Sequence, residues 1–430
     1  MEAQDGPQTK RPRSESCSTQ ACSSCPNGCS DSRSSAGCPV GWHPLPRLSE
    51  PPSYDVYLHE FALPRRPFII ANGCAHKWGW PAADGRWRDL SYLVDHPQVL
   101  AMDKLFDRPE GFRPVALSIS VRRAVANETG SEWQTCGTTR LMTPRSALQK
   151  LQMRSELGMW GDDGIAMYLR AWEYDSDEWQ GISTHGSCCA SSSSLAADVS
   201  PGVPFARCLV SGLLGEQHPL ARSIRWIYIG ESGTESLPHV DPMATHAWMW
   251  QASGRKQWRI VRRDPAADAV PVIKTQRPKL EAVDDPYKVT GAPAPSGAPK
   301  DLFGPSACSN LRAWLDGNRS TNDVTAWAGD LCEGELLFIP SGTLHAVRNA
   351  GMGISTAISH NYVDVSNAFG ALRCLKQALS LLVEEFGHKQ DGSTNWQEAC
   401  EGLEGVLDAQ NLGLLSATLE KRDLPSQLAA

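Results

Sequence analysis

The chain of 430 residues contains no apolar run long enough to cross a bilayer, which takes about 18 residues or more as a helix. Its N-terminal stretch, MEAQDGPQTKRPRSESC, lacks the apolar segment of a secretory signal. The expectation is a nuclear or cytoplasmic protein whose 14 cysteines are reduced thiols. An excess of basic residues is also missing. A net charge of -7 argues against nucleic acid as a partner held by bulk attraction. No internal repeat is present. No second well-spaced cysteine pair follows Cys22, Cys25 and Cys29, so a Cys-rich tail is favoured over a zinc site there.

The apolar fraction of 41% and the 15 tryptophans are enough for a substantial core. The length allows several domains or one domain with insertions. Residues 1–44 are polar, Ser- and Cys-rich and almost without large apolar side chains, and are expected to be disordered. Lys10, Arg11, Pro12 and Arg13 have the composition of a nuclear import signal, a pattern that also arises by chance. The folded part is expected over 45–375, with insertions near 176–203, where the run SCCASSSS falls, and over the proline-rich 264–330.

Strands are predicted at 67–73, 164–172, 223–232, 245–253, 255–263, 334–342 and 354–364, with Gly254 between two of them. A short helix is predicted at 90–96. A longer one at 365–388 would open a helical C-terminal region over 365–430, a candidate for homodimer contacts. The order implies a mainly β fold with helices (α+β), a sandwich or barrel core with helical decoration at both ends.

His239 and Asp241 in PHVDP are two residues apart. In extended chain that spacing puts both side chains on one face. An imidazole and a carboxylate side by side supply two ligands of a facial triad, which leaves open positions on a six-coordinate metal. Alone, the pair reads better as a hydrogen-bonded surface contact. His345 follows an apolar strand and a Pro-Ser-Gly turn in FIPSGTLHAV. An antiparallel neighbour would bring it opposite the first two. Lys256 shares a strand face with Trp258 and Ile260, and a buried ammonium needs a compensating partner. The distal carboxylate of 2-oxoglutarate would serve; so would a protein carboxylate. Ser355, Ala357, Ser359 and Asn361 form a face of small and polar residues, suited to a polar ligand or to solvent.

The run IYIGESGTESLPHVDPMATHAWMWQASGRKQWRIV, then GELLFIPSGTLHAVRNAGMGISTAISHNYVD, resembles the core of JmjC-domain oxygenases, above all the small protein-hydroxylase branch. PFIIANGCAHKWGWPAADGRWRDLSYLVDH resembles the N-terminal part of that branch. The resemblance implies a double-stranded β-helix (jelly-roll, cupin-like) barrel. It implies Fe(II) on His239, Asp241 and His345, with 2-oxoglutarate and O2 as cosubstrates, and Lys256 on the distal carboxylate. Tyr168, Ser236, Ser359 and Asn361 are the further cosubstrate contacts expected. Met249 stands where some relatives have asparagine. The implied activity is hydroxylation of a partner protein's side chain, lysine first, with release of succinate and CO2. N-methyl demethylation by the same chemistry and a non-catalytic scaffold are the alternatives.

Overall fold

A computed structural model describes residues 42–374, except 72, 105–114, 128–129, 160–163, 176–193, 215–218, 223, 263–297, 305, 318–323, 369 and 372–373. The basic and Cys-rich N-terminal motifs, the Ser-rich centre of the first expected insertion, most of the second and nearly all of the expected C-terminal helix lie outside the described residues.

Secondary structure is mainly β. In chain order the strands are β1 (Trp42–Pro44), β2 (Arg47–Leu48), β3 (Phe68–Ile70), β4 (Val115–Asn127) and β5 (Gly130–Met142). Then come β6 (Ile165–Glu173), β7 (Arg225–Glu231), β8 (Glu235–His239), β9 (His246–Ser253) and β10 (Arg255–Arg262). The last are β11 (Thr325–Cys332), β12 (Leu336–Ile339), β13 (Leu344–Ala350) and β14 (Ile354–Tyr362). They form a five-stranded sheet, β1-β11-β10-β13-β8, and a nine-stranded sheet, β2-β3-β12-β9-β14-β7-β6-β4-β5. Pairing is antiparallel except for β1 with β11 and β2 with β3.

The sheets pack through a shared apolar layer that includes Met249, Leu337 and Ala357 from the larger and Trp258, Ile260 and Val347 from the smaller. The other face of the larger sheet, with Trp248, Trp250 and Phe338, is covered by N-terminal helical turns bearing Tyr57, Phe61, Trp80 and Trp87. A helix at Ala307–Gly317 covers the outer face of the smaller sheet through Leu311 and Trp314. Strand β9 is therefore buried along its whole length, HAWMWQAS, without the alternation of a half-exposed strand.

Three features depart from the sequence reading. The long hairpin β4–β5 was not among the expected strands. Strand β11 lies at the end of the stretch read as insertion, and TAWAGDLC carries little β-branched content; its pairing with β10 and β1 makes it a strand. At the end of the first expected insertion, Leu195–Val199 is a buried 3₁₀ turn. Its Asp198 accepts hydrogen bonds from Trp87 Nε1 at 2.8 Å and Tyr92 Oη at 2.6 Å. Gly254 does separate two strands, but they belong to different sheets, so the chain crosses between sheets there. Its φ is +74°, and a Cβ would sit 2.8 Å from the Ile354 carbonyl oxygen, so only glycine fits.

Among the described residues no helix is long and apolar enough to cross a membrane.

Candidate metal centre

Strand β8 brings His239 to its C-terminal end, and Asp241 follows just beyond it. Asp241 keeps extended dihedrals (φ −59°, ψ 143°), so the two-residue repeat carries past the strand end. The next turn is strained: Met243 and Ala244 both have positive φ. Thr245 Oγ1 ties it by donating to the Pro242 carbonyl at 2.8 Å, and Asn367 Nδ2 by donating to that of Ala244 at 3.0 Å.

His345 reaches the same point from β13. The antiparallel register sets it directly opposite His239, with a bulge before Val347. The two rings lie 4.3 Å apart between centroids, and His345 Nε2 is 3.8 Å from Asp241 Oδ1. One ligand atom from each of His239, Asp241 and His345 falls within 4.8 Å of the others.

The donor set suits a divalent transition metal. A carbonyl oxygen only accepts, so each Nδ1 carries its proton: His239 donates to the Leu237 carbonyl at 2.7 Å and His345 to that of Thr343 at 3.1 Å. Both Nε2 atoms are left as lone-pair donors, the usual arrangement of metal-binding histidines. Among the described residues Asp241 Oδ2 is buried without a hydrogen-bond partner, a cost that a cation would offset. Burial lowers the pKa of both histidines to about 4; the facing His345 adds to this for His239, Asp241 opposes it there, and the Thr343 contact opposes it at His345. Burial likewise raises that of Asp241, opposed by His239 and the Asn361 amide. A cation would reverse the push on Asp241 and hold all three in their ligating forms.

A cavity opens beside the three ligands, between the two sheets. Tyr168, Tyr228, Ser236, Met249, Trp258 and Ser359 are among its walls. Tyr168 Oη and Ser236 Oγ are 3.5 Å apart. Tyr168, Ser236 and Ser359 thus share the wall of the cavity with the three ligands.

The other two residues expected at the cosubstrate, Asn361 and Lys256, make contacts within the protein. Asn361 is not among the side chains at the cavity wall: its Nδ2 donates to Thr245 Oγ1 at 2.7 Å, and its amide acts on Asp241. Lys256 is fully buried, yet it is not among the lining side chains either. Its Nζ donates to Asn349 Oδ1 at 2.6 Å and lies 5.3 Å from the Tyr168 ring centroid. The sequence reading missed Asn349 and Tyr228. Asn349 was findable, because 345, 347 and 349 share one strand face.

No protein-family model matches the chain. It is 27% identical over 213 residues, 48% of this chain and 44% of the relative, to the human 2-oxoglutarate and iron-dependent oxygenase JMJD4. It is 29% identical over 172 residues, 39% of this chain and 28% of the relative, to the arginine-specific demethylase JMJ22 of Arabidopsis thaliana. The bifunctional arginine demethylase and lysyl-hydroxylase psr-1 of Caenorhabditis briggsae is 26% identical over 148 residues, 33% of this chain and 30% of the relative. The chain therefore spans less than half the length of these curated relatives. Its sequence makes it a distant relative of the JmjC 2-oxoglutarate- and iron-dependent oxygenases and demethylases.

Proposed function

We propose that the chain is an Fe(II)- and 2-oxoglutarate-dependent dioxygenase that hydroxylates a side chain, lysine first, of a partner protein. The observation that carries this is the convergence of His239, Asp241 and His345 beside a cavity between two sheets. A two-histidine, one-carboxylate set leaves positions free for cosubstrate and oxygen. The paired sheets, together with the relatives, support a double-stranded β-helix over 45–375.

Iron(II) with 2-oxoglutarate would supply the oxidising power for C–H hydroxylation, with succinate and CO2 as coproducts. The chain's own residues do the rest. Leu237 and Thr343 carbonyls hold the imidazoles in the ligating tautomer. Asn361 and Thr245 brace the Asp241 turn. Trp258, Met249, Ile339 and Val347 supply the apolar part of the wall. Tyr168 and Ser236 offer hydroxyls to the cosubstrate, and Lys256 stands in reserve for its distal carboxylate. Removal of an N-methyl group from arginine or lysine is the second reading, favoured by the names of two relatives. A homodimer through residues 365–430 completes the proposal.

The test is anaerobic titration of the protein with Fe(II) and 2-oxoglutarate, read by visible absorption, followed by air and a succinate assay. A charge-transfer band that needs both components and decays to succinate is expected. A folded protein giving neither band nor succinate overturns the reading in favour of a scaffold.

A further inference from the structure

The turn behind Asp241 contains two consecutive strained residues. Met243 and Ala244 have φ of +56° and +49°, where a side chain crowds the backbone. Such conformations persist only where their surroundings fix them. Thr245 Oγ1 holds the front of the turn, at the Pro242 carbonyl. The back, at the Ala244 carbonyl, is held from outside by Asn367, in the segment that follows β14. Asn367 is buried, and it is neither one of the three ligands nor a side chain of the cavity wall.

The Asn367 amide can point only one way. Its Oδ1 accepts from the Asp364 N–H at 2.8 Å, so the group facing the Ala244 carbonyl at 3.0 Å is Nδ2, which donates. Three donors fix Asp364 in turn. Its Oδ1 accepts from the Ser366 N–H at 2.8 Å and from Ser366 Oγ at 2.6 Å, and its Oδ2 accepts from Tyr57 Oη at 2.5 Å. The same segment reaches the other ligand-bearing turn. His246 Nδ1 accepts from the Ser341 N–H at 2.8 Å, so its proton sits on Nε2, which donates to Ser366 Oγ at 2.8 Å. Ser341 belongs to the Pro-Ser-Gly turn that leads into β13 and His345. Residues 364–367 thus tie together the turns beside two of the three ligands.

We propose that Asn367 is a positioning residue for the metal: by holding the Ala244 carbonyl it keeps the strained turn closed and Asp241 within reach of His239 and His345. The proposal rests on the metal site of the oxygenase reading and deepens it. Without this bond the turn can relax toward negative φ, which moves the carboxylate relative to the two imidazoles.

The experiment measures anaerobic Co(II) binding by calorimetry, the visible ligand-field bands of bound Co(II), and the metal-free melting temperature. Asn367→Ala deletes the clamp. Asn367→Asp keeps the acceptor for the Asp364 N–H but sets an oxygen against the Ala244 carbonyl. Both should weaken Co(II) binding about ten- to a hundredfold, the usual cost of losing an outer support of a metal ligand, and both should shift the Co(II) bands. The sign in Asn367→Asp is informative, because its added negative charge would by itself strengthen cation binding. Adding Ala244→Gly to Asn367→Ala should bring affinity back to within about threefold of wild type, since glycine takes positive φ without strain. Asp198→Ala, outside the site, is the control for stability alone: it should lower the melting temperature and leave Co(II) affinity and bands unchanged. Unchanged or tighter Co(II) binding in either folded Asn367 variant overturns the proposal. So does a double variant no better than Asn367→Ala, an equal loss of affinity in Asp198→Ala, or a failure of both Asn367 variants to fold. In each of these cases the oxygenase reading stands. A folded wild type that takes up no Co(II) sinks the metal site and that reading with it.

Discussion

His239 and His345 face each other across β8 and β13, 106 residues apart in sequence and 4.3 Å apart between ring centroids. Each ring is pinned by a carbonyl two residues before it, Leu237 and Thr343. The same two-residue geometry on two antiparallel strands leaves both Nε2 atoms unprotonated, with His345 Nε2 3.8 Å from Asp241 Oδ1.

The metal should therefore show itself as stability. Adding Mn(II) or anaerobic Fe(II) at a hundred times its dissociation constant should stabilise the fold by about 2.7 kcal/mol. Asp241→Asn should abolish that rise while leaving the metal-free melting temperature unchanged or higher, because it removes a buried carboxylate with an unpartnered oxygen. Thermal melts with and without metal check this. A full metal-induced rise in Asp241→Asn would remove Asp241 from the ligand set.

Lys256 should leave a mark on the pH dependence of stability. Unfolded, it holds its proton up to its ordinary value of 10.5; folded, it releases it near 7. Between these values the unfolded chain binds more protons, so this group makes stability rise with pH across that window. Its full cost is present below about pH 7. Lys256→Met should gain stability most at pH 7 and least near pH 10. Urea melts of both proteins across that range test it, and a constant difference between them refutes the buried, uncompensated lysine.

Gly230→Ala should disrupt the cluster around Lys256, since the added methyl would overlap Asn349, Tyr168 and Thr234. Overpacking of this kind costs about 1–3 kcal/mol. Chemical denaturation should show that loss. Wild-type stability would mean that the cluster opens without cost.

Asp198 should prove essential to the N-terminal layer. It is buried and accepts from Trp87 and Tyr92, with Arg86 Nη1 at 3.5 Å. Asp198→Ala leaves the indole and phenol donors unpaired, a loss of about 2–4 kcal/mol. Equilibrium unfolding reads it, and a change below about 0.5 kcal/mol would show that water replaces the carboxylate.

The alternation in GRKQWRI identified Lys256 as facing inward, and the spacing of PHVDP put His239 and Asp241 together, because strand periodicity is local and readable in a few residues. The helix at Leu90–Val94 and strands such as Phe68–Ile70 and Arg225–Glu231 were legible for the same reason. Other features were not. TAWAGDLC reads as a loop and is a strand only because β10 and β1 pair with it. Strands β9 and β10 are legible on either side of Gly254, but not that they lie in different sheets. Asn361, on a face suited to a ligand, turns instead to Thr245 and the Asp241 loop.

The sequence by itself determined which side chains could serve as ligands and which face each occupies on its own strand, since both follow from residue chemistry and a period of two. Only the tertiary structure decided that His345 stands opposite His239, that Asp241 Oδ2 is left without a partner among the described residues, and that Lys256 donates to the neutral Asn349. Those are outcomes of strand pairing between distant segments, where register is fixed by burial of whole sheet faces.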